Sequence, residues 1–411
     1  MPQAIAPACA PTAVALKMAM TGDPVDAASA QQLGLVNHVV PGATAVQCIP
    51  HLARDAGELY VFQRTPSSVD VRGNQPTDPE WFASIAEPGW QKRWLENFTA
   101  NTMGGFGAAD DEDLVRDGWT DISRRVKTKI EERVAADGEF TADTLVDAFE
   151  DADFEKMEEI RARVDAVVED QTAAEGLKAW YGQLCKRPCF HDDYLEAFNR
   201  PGVTLVDTDG AGVERVTERG VVVAGHEYAV DCIVWATGFE VGTGFTSRAG
   251  FDLVGREGIR LSDHWADGMR TMHGIHVHGF PNAFIVQLTQ GSNHIANVPH
   301  NMTETATTIG AIVGHAVDLG HSVVEVTAAA EEAWIERLLG GGSPMGGLAG
   351  GRPLNVPGSL ECTPGYYNNE GRAPTAAQRY NFLGFPGGPL AFFDYIERWR
   401  SSGDFAGLEF R

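Results

Sequence analysis

The sequence predicts an α/β fold. Over residues 35–62 a strand, a glycine-marked turn, a helix and a second strand follow one another, the order of a βαβ unit. Residues 143–184 then read as helical, and from Val203 the pattern turns to short strands rich in valine. Helices and Gly/Pro-rich loops close the chain.

Bulk properties set the limits. A chain of 411 residues is long enough for one large core or two domains. The formal net charge of −25 argues against nucleic acid and anionic membrane as partners. No uninterrupted apolar run approaches the roughly 20 residues that span a bilayer. The amino terminus has no basic residue before Lys17, unlike a secretory signal. The six cysteines make no Cys-x-x-Cys pair, so we expect reduced thiols, a cytoplasmic location and no structural zinc.

Each element has its own signal. Residues 13–20 and 26–32 read as helices, the second ending at Gly34. Residues 35–40 read as a strand, 42–55 as a helix and 59–62 as the next strand. Residues 74–120 are punctuated by Trp and Pro and suggest irregular helices. In the long helical stretch, Phe154, Met157, Ile160, Val164 and Val167 recur at three and four residues and predict one buried face, with Glu159 four before Arg163. Strands are expected at 203–206, 221–223, 228–230, 233–235 and 284–288. Helices are expected at 303–319, 325–339 and 389–400, with a loop at 340–358.

The first chemical motif is the turn at residues 40–45. A dinucleotide turn needs glycine where the chain bends, a second glycine beside the pyrophosphate, and a small residue where helix meets strand. Gly42 and Ala45 hold the second and third positions, with Thr44 between and Gln47 one turn on; β-branched Val40 occupies the first. The residue that closes the next strand, about 20 positions on, selects the ribose. Here it is Arg64, with Thr65 beside it. A guanidinium grips a 2′-phosphate where an acid would hold a 2′-hydroxyl, so NADP is the expected cofactor. The second motif is Lys186-Arg187 before Pro188. Two adjacent cations that are partly buried require an anion. His273, His276, His278, His294 and His300 fit alternate strand faces and loops better than a metal site, and we expect no metal.

The surrounding text resembles Baeyer–Villiger monooxygenases, the class B flavin monooxygenases. It comprises Lys186-Arg187-Pro188, Asp193-Tyr194, Phe198-Asn199-Arg200 and Val203-Thr204-Leu205-Val206-Asp207. It continues with Asp231-Cys232-Ile233-Val234-Trp235-Ala236-Thr237-Gly238-Phe239-Glu240, Gly279-Phe280-Pro281-Asn282 and Cys362-Thr363-Pro364-Gly365-Tyr366-Tyr367-Asn368-Asn369. The resemblance implies a two-dinucleotide-binding-domain flavoprotein fold. A Rossmann-like NADP domain would cover 42–230, with a helical insertion at about 75–184. The carboxy-terminal part of an FAD domain would cover 231–411. It implies FAD and NADP as cofactors, with a small-molecule ketone and O2 as substrates giving an ester or lactone. Arg187 would stabilise the anionic oxygen adduct of the flavin, and Lys186 would join Arg64 and Thr65 at the 2′-phosphate. Thr237 and Gly238 would border the nucleotides, Thr289 and Gln290 would approach the flavin, and Tyr366 and Tyr367 would line a substrate pocket or pack. A permanently charged Arg suits a developing anion better than a titrating His.

The sequence departs from that family ahead of Gly42, where its FAD-binding glycine turn and its Phe/Gly/His/Trp fingerprint have no counterpart. Instead, Ala15-Leu16-Lys17-Met18-Ala19-Met20-Thr21-Gly22-Asp23 and Gly34-Leu35-Val36-Asn37-His38-Val39-Val40-Pro41 resemble a fragment of the enoyl-CoA hydratase (crotonase) family without its catalytic glutamates. The expectation is a join near Pro41, in which residues 1–41 supply a strand. Two further readings stay open: a catalytically inactive NADP-binding remnant and a crotonase-like acyl-CoA enzyme. Flavin absorbance separates the first from the monooxygenase, and acyl-CoA binding would mark the second.

Overall fold

The computed structural model describes residues 45–102, 112–139, 141–236, 244–287, 289–292, 297–340, 373, 375–381 and 383–411. The helices and strand expected over 13–40, the pairs Gly42/Thr44 and Thr237/Gly238, and Tyr366 and Tyr367 lie outside them. The chain divides into two compact units. One comprises Met1–Gly73, Met157–Trp180 and Pro188–Phe239; the other comprises Asn74–Lys156, Tyr181–Arg187 and Glu240–Arg411.

The first unit is built on a parallel strand pair. The helix Ala45–Asp55 buries Val46, Ile49, Pro50 and Ala53, a spacing that places all four on one face. It leads into β1 (Leu59–Gln63), and β2 (Val69–Asp70) pairs in parallel with β3 (Cys189–Phe190). β4 (Val203–Asp207) runs parallel to β1, with Leu59 opposite Val203 and Gln63 opposite Asp207. The core under these strands gathers Val46, Ile49, Val61, Val164, Leu177, Leu195 and Phe198. β5 (Arg215–Val216), β6 (Gly220–Val223) and β7 (His226–Ala229) form an antiparallel meander whose central strand is wholly buried.

The second unit is mostly helical. Its core joins the helices Val298–Asp318, Ala328–Gly340 and Gly388–Ser402 through Ile312, Trp334, Leu338, Phe392, Ile396 and Trp399. β8 (Val324–Val326) and β9 (Leu408–Phe410) pair antiparallel beside them.

Several expectations need correction. Residues 231–236 and 284–287 form no strand; Val234, Trp235 and Val286 are 48%, 48% and 55% exposed. Valine-rich sequence favours a strand, but a ladder needs a partner, and among the described residues neither segment has one. Residues 324–326 extend as β8 rather than opening a helix, because Val324 and Val326 are β-branched and face β9; the helix begins at Ala328. The helix expected from Thr303 begins at Val298, with Pro299 in its first turn, where a missing N–H costs nothing. Phe154 is 64% exposed. On the helix Ala142–Val167, at about 100° per residue, it points roughly 80° from the stripe of Met157, Ile160 and Val164. Arg163 donates to the carbonyls of Val69 (2.8 Å) and His191 (3.1 Å).

Candidate functional site

In an open α/β sheet ligands bind beyond the carboxyl ends of parallel strands. In the first unit that end belongs to β1 and β4, and it is tightly tied. The Gln63 side chain donates to the carbonyl of Gly176 at 2.5 Å and to Asp207 Oδ2 at 3.1 Å. Thr208 returns the link, its hydroxyl donating to the Gln63 carbonyl at 2.7 Å. The N–H of Gly210 donates to the carbonyl of Arg64 at 2.9 Å.

Arg64 therefore leaves the sheet from a fixed backbone, and the residue is exposed. Its stem runs beside Gly212, where a β-carbon would stand 3.5 Å from Cγ and Cδ. Thr65 next to it is half-buried. The helix Ala45–Asp55 carries Ala45, half-buried, and Gln47, exposed. The last residue of β1 is the amide Gln63, so no carboxylate closes that strand. An exposed cation on a pinned loop, after a strand without a terminal acid, fits a 2′-phosphorylated nucleotide.

Lys186 and Arg187 belong to the second unit. The turn ahead of them is pinned by Asp153, whose carboxylate accepts from the Gln183 N–H at 2.8 Å. A β-carbon at Gly182 would fall 2.9 Å from the same carboxylate, so only glycine passes there without a shift. Lys186 is extended, with φ −128° and ψ 168°. Its ammonium lies 4.7 Å from the Tyr181 ring centroid, and the Arg187 guanidinium lies 5.6 Å from that of Trp119. Lys186 is half-buried, whereas Arg187 is exposed, against the expectation that both are partly buried. Cys185, just ahead of the pair, takes part in a disulfide, which corrects the expectation of reduced thiols throughout; Cys48, Cys189 and Cys232 are in no disulfide.

Thr289 and Gln290 lie elsewhere in the second unit. Thr289 is buried, with its hydroxyl directed at Met269 Sδ, 3.6 Å away. Gln290 is fully buried at a left-handed φ of 58°. Its Nε2 donates to the carbonyls of Met269 (2.6 Å) and Tyr380 (3.2 Å), and its Oε1 accepts from Thr271 (2.6 Å). With its amide so occupied, the Gln290 side chain does not fit a direct contact to flavin. Its backbone holds the fold as well, since the N–H donates to Leu383 and the carbonyl accepts from Trp334 Nε1 at 2.9 Å.

His294 lies outside the described residues, and the other histidines of the expected set are engaged as follows. His273 packs edge-on against Trp334 and Trp399, and its Nε2 lies 3.4 Å from the Tyr395 hydroxyl. His278 Nδ1 donates to the carbonyl of Val326 at 2.9 Å, and His300 Nδ1 meets the Thr99 hydroxyl at 2.9 Å. Burial holds His273 well below the ordinary histidine range, with His276 and Arg337 adding to it. Burial alone lowers His276 to about 3. Among the described residues no group of three or more His, Cys, Asp or Glu could hold a metal. Nor is any described helix long and apolar enough to cross a membrane.

The geometry also exposes two residues that sequence reasoning missed. Tyr181 could have been suspected from its place shortly before the basic pair. Trp119 carried no sequence signal, because it is far from Arg187 along the chain.

Comparison with known proteins gives a consistent picture. No family model matches the chain. It is 48% identical over 378 residues to neopentalenolactone D synthase of Streptomyces avermitilis, covering 92% of this chain and 60% of that protein. It is 43% identical over 371 residues to a Baeyer–Villiger monooxygenase of Streptomyces coelicolor, covering 89% and 57%. The chain thus spans about three-fifths of the length of the curated relatives it matches. Among solved structures it is similar to a polycyclic ketone monooxygenase from Thermothelomyces thermophila, with TM-score 0.73 and 36% identity over 90% of this chain and 58% of that one. A complex of OTEMO with FAD and NADP shares the fold at TM-score 0.61 and 24% identity, over 94% and 69%. The expected class, α/β of the two-dinucleotide-binding-domain flavoprotein type, is borne out. The named relatives support the Baeyer–Villiger monooxygenase family.

Proposed function

We propose that this chain belongs to an FAD- and NADPH-dependent monooxygenase of Baeyer–Villiger type, which inserts one oxygen atom of O2 next to a ketone carbonyl to give an ester or lactone. The observation that carries the reading is the likeness over about nine-tenths of the chain to proteins named Baeyer–Villiger monooxygenase. In this reading residues 42–230 hold NADP and 231–411 contribute to the FAD site, in a cytoplasmic protein. Arg64 and Thr65 bind the 2′-phosphate, and Gly42, Thr44, Ala45, Gln47 and Lys186 are further cofactor-binding residues. Thr237 and Gly238 border the nucleotides, and Thr289 approaches the flavin.

The flavin, when bound, supplies the redox and oxygen chemistry. The residues supply direction and charge. Arg187 offers a guanidinium whose hydrogen-bond donors can hold negative charge. Arg64 selects the nucleotide by its phosphate, and Gln63 and Thr208 keep that loop in place. The solved relative at 36% identity is a polycyclic ketone monooxygenase, so a fused-ring ketone is the first substrate to test.

A second reading, an NADP-binding protein without oxygenase activity, accords with the Gln290 amide, whose Nε2 donates twice and whose Oε1 accepts once within the fold. Two measurements separate the readings. Calorimetric titration with NADP+ and NAD+ tests nucleotide choice. An absorbance spectrum after FAD incubation and desalting tests flavin retention. NADP+ binding with retained yellow colour supports the monooxygenase; NADP+ binding by colourless protein supports the second reading. Binding of neither nucleotide sinks both.

A further inference from the structure

Each of the two adjacent cations lies over a different aromatic ring. Successive side chains of an extended segment point to opposite sides, and Lys186 is extended. Lys186 accordingly turns to Tyr181, and Arg187 turns to Trp119. A ring of this kind attracts a cation through its negative face.

The ring facing Arg187 stands on a rigid mount. Trp119 lies in the first turn of the helix Gly118–Asp137, and its N–H is capped by Asp117 at 2.9 Å. The loop before it is held by the Asp113 carboxylate, which is only 7% exposed. That carboxylate accepts from the N–H groups of Val115 (3.0 Å) and Arg116 (2.9 Å), from the Thr120 hydroxyl (2.5 Å) and from Arg124 Nη1 (2.5 Å). Arg124 also meets Asp121 at 3.1 Å, and the buried Lys156 meets Asp121 from the next helix at 3.1 Å. Trp119 itself is half-buried, and the exposed Arg187 lies over its ring.

We propose that Trp119 is a positioning residue that helps to set the direction of the Arg187 guanidinium. Contact with a ring narrows the rotamers open to a long exposed side chain. Arg187 has such a contact with Trp119, and Lys186 has one with Tyr181. The role in turnover rests on reading Arg187 as the anion-holding group; the contact itself does not.

The test compares the full chain with Trp119→Phe, which keeps an aromatic face, and Trp119→Leu, which removes it. Arginines are modified with phenylglyoxal, and Arg187 is followed by peptide mass spectrometry against the exposed Arg260. The expected result is Arg187 modification faster in the Leu variant by about two- to fivefold, the factor an exposed cation–π contact confers, and near wild type in the Phe variant. Equal rates in all three proteins overturn the proposal. A second measurement needs no change at Trp119. In wild-type protein the Arg187 Nε–H resonance, assigned by its loss in Arg187→Lys, should be shifted upfield by the ring. An unshifted resonance overturns the proposal even if the Leu variant does not fold. If the contact is verified but Arg187→Lys turns over normally, the functional reading of Arg187 fails while the positioning stands. If both hold, Trp119→Leu lowers kcat with little change in KM for NADPH, and Trp119→Phe restores it.

Discussion

Gln63 and Asp207, the paired last residues of β1 and β4, are linked side chain to side chain at 3.1 Å. The link closes the carboxyl end of the parallel pair at the point where Arg64 leaves it. The same amide reaches Gly176, at 2.5 Å, so one side chain joins two strands and the helix Gln171–Leu177. A β-carbon at Gly176 would fall 2.8 Å from Leu205 Cδ2, which shows how closely that helix lies on β4.

Gln63→Leu removes both donations and leaves the Gly176 carbonyl without this partner. A lost hydrogen bond of this kind costs about 1–2 kcal/mol. The variant should melt earlier than wild type, and NADP+ should bind more weakly because the Arg64 loop is less well held. Thermal melts and calorimetry check both, and unchanged values for both would show that the link is incidental.

Arg64→Ala tests the nucleotide choice. A charge-assisted bond to a phosphate is worth about 1.5–3 kcal/mol, so NADP+ affinity should fall roughly tenfold or more. NAD+ has no 2′-phosphate and should bind as before. An equal loss for both nucleotides would place Arg64 away from the 2′-phosphate.

Gly220 tests the meander. A β-carbon there would stand 1.8 Å from the Tyr228 carbonyl oxygen across the β6–β7 ladder, and backbone has to move to admit it. Gly220→Ala should destabilise the first unit by about 2–4 kcal/mol, in the range of severe core changes. Chemical denaturation measures it. A neutral outcome would mean that the two strands lie farther apart.

His273 and His276 give a pH dependence of stability. Both are buried and neutral in the fold, with pKa values lowered chiefly by burial. In the unfolded chain they take up protons near the ordinary value of about 6.5. Below that pH the unfolded state binds more protons than the folded one, so stability falls as pH falls. The loss proceeds at about 1.4 kcal/mol per pH unit for each histidine. For His276 it runs from 6.5 down to about 3 and is absent above 6.5. Urea denaturation at pH 7 and pH 5 should show the weaker fold at pH 5, and His276→Phe should reduce the difference. Identical midpoints would contradict the buried neutral state.

Much of the fold was legible because its signals are local. The stripe of Val46, Ile49 and Ala53 and the valine run of β4 and β6 need only their own neighbours to be read. Arg64 stands out by its spacing after the glycine turn, which is fixed by the length of one helix and one strand. Non-local partners were not legible. Val234 and Val286 have strand-like sequence, yet a strand forms only beside another, and periodicity does not supply the neighbour. Trp119 reaches Arg187 only through tertiary packing, and Gln290 is committed to Met269, Thr271 and Tyr380, none of which its motif foretells.

The most direct measurement is turnover under labelled oxygen. The purified chain is loaded with FAD, desalted, and given NADPH, 18O2 and a fused-ring ketone, with the products read by mass spectrometry. The account predicts NADPH consumption and an ester or lactone carrying one labelled oxygen. Unchanged ketone with NADPH unconsumed would contradict it.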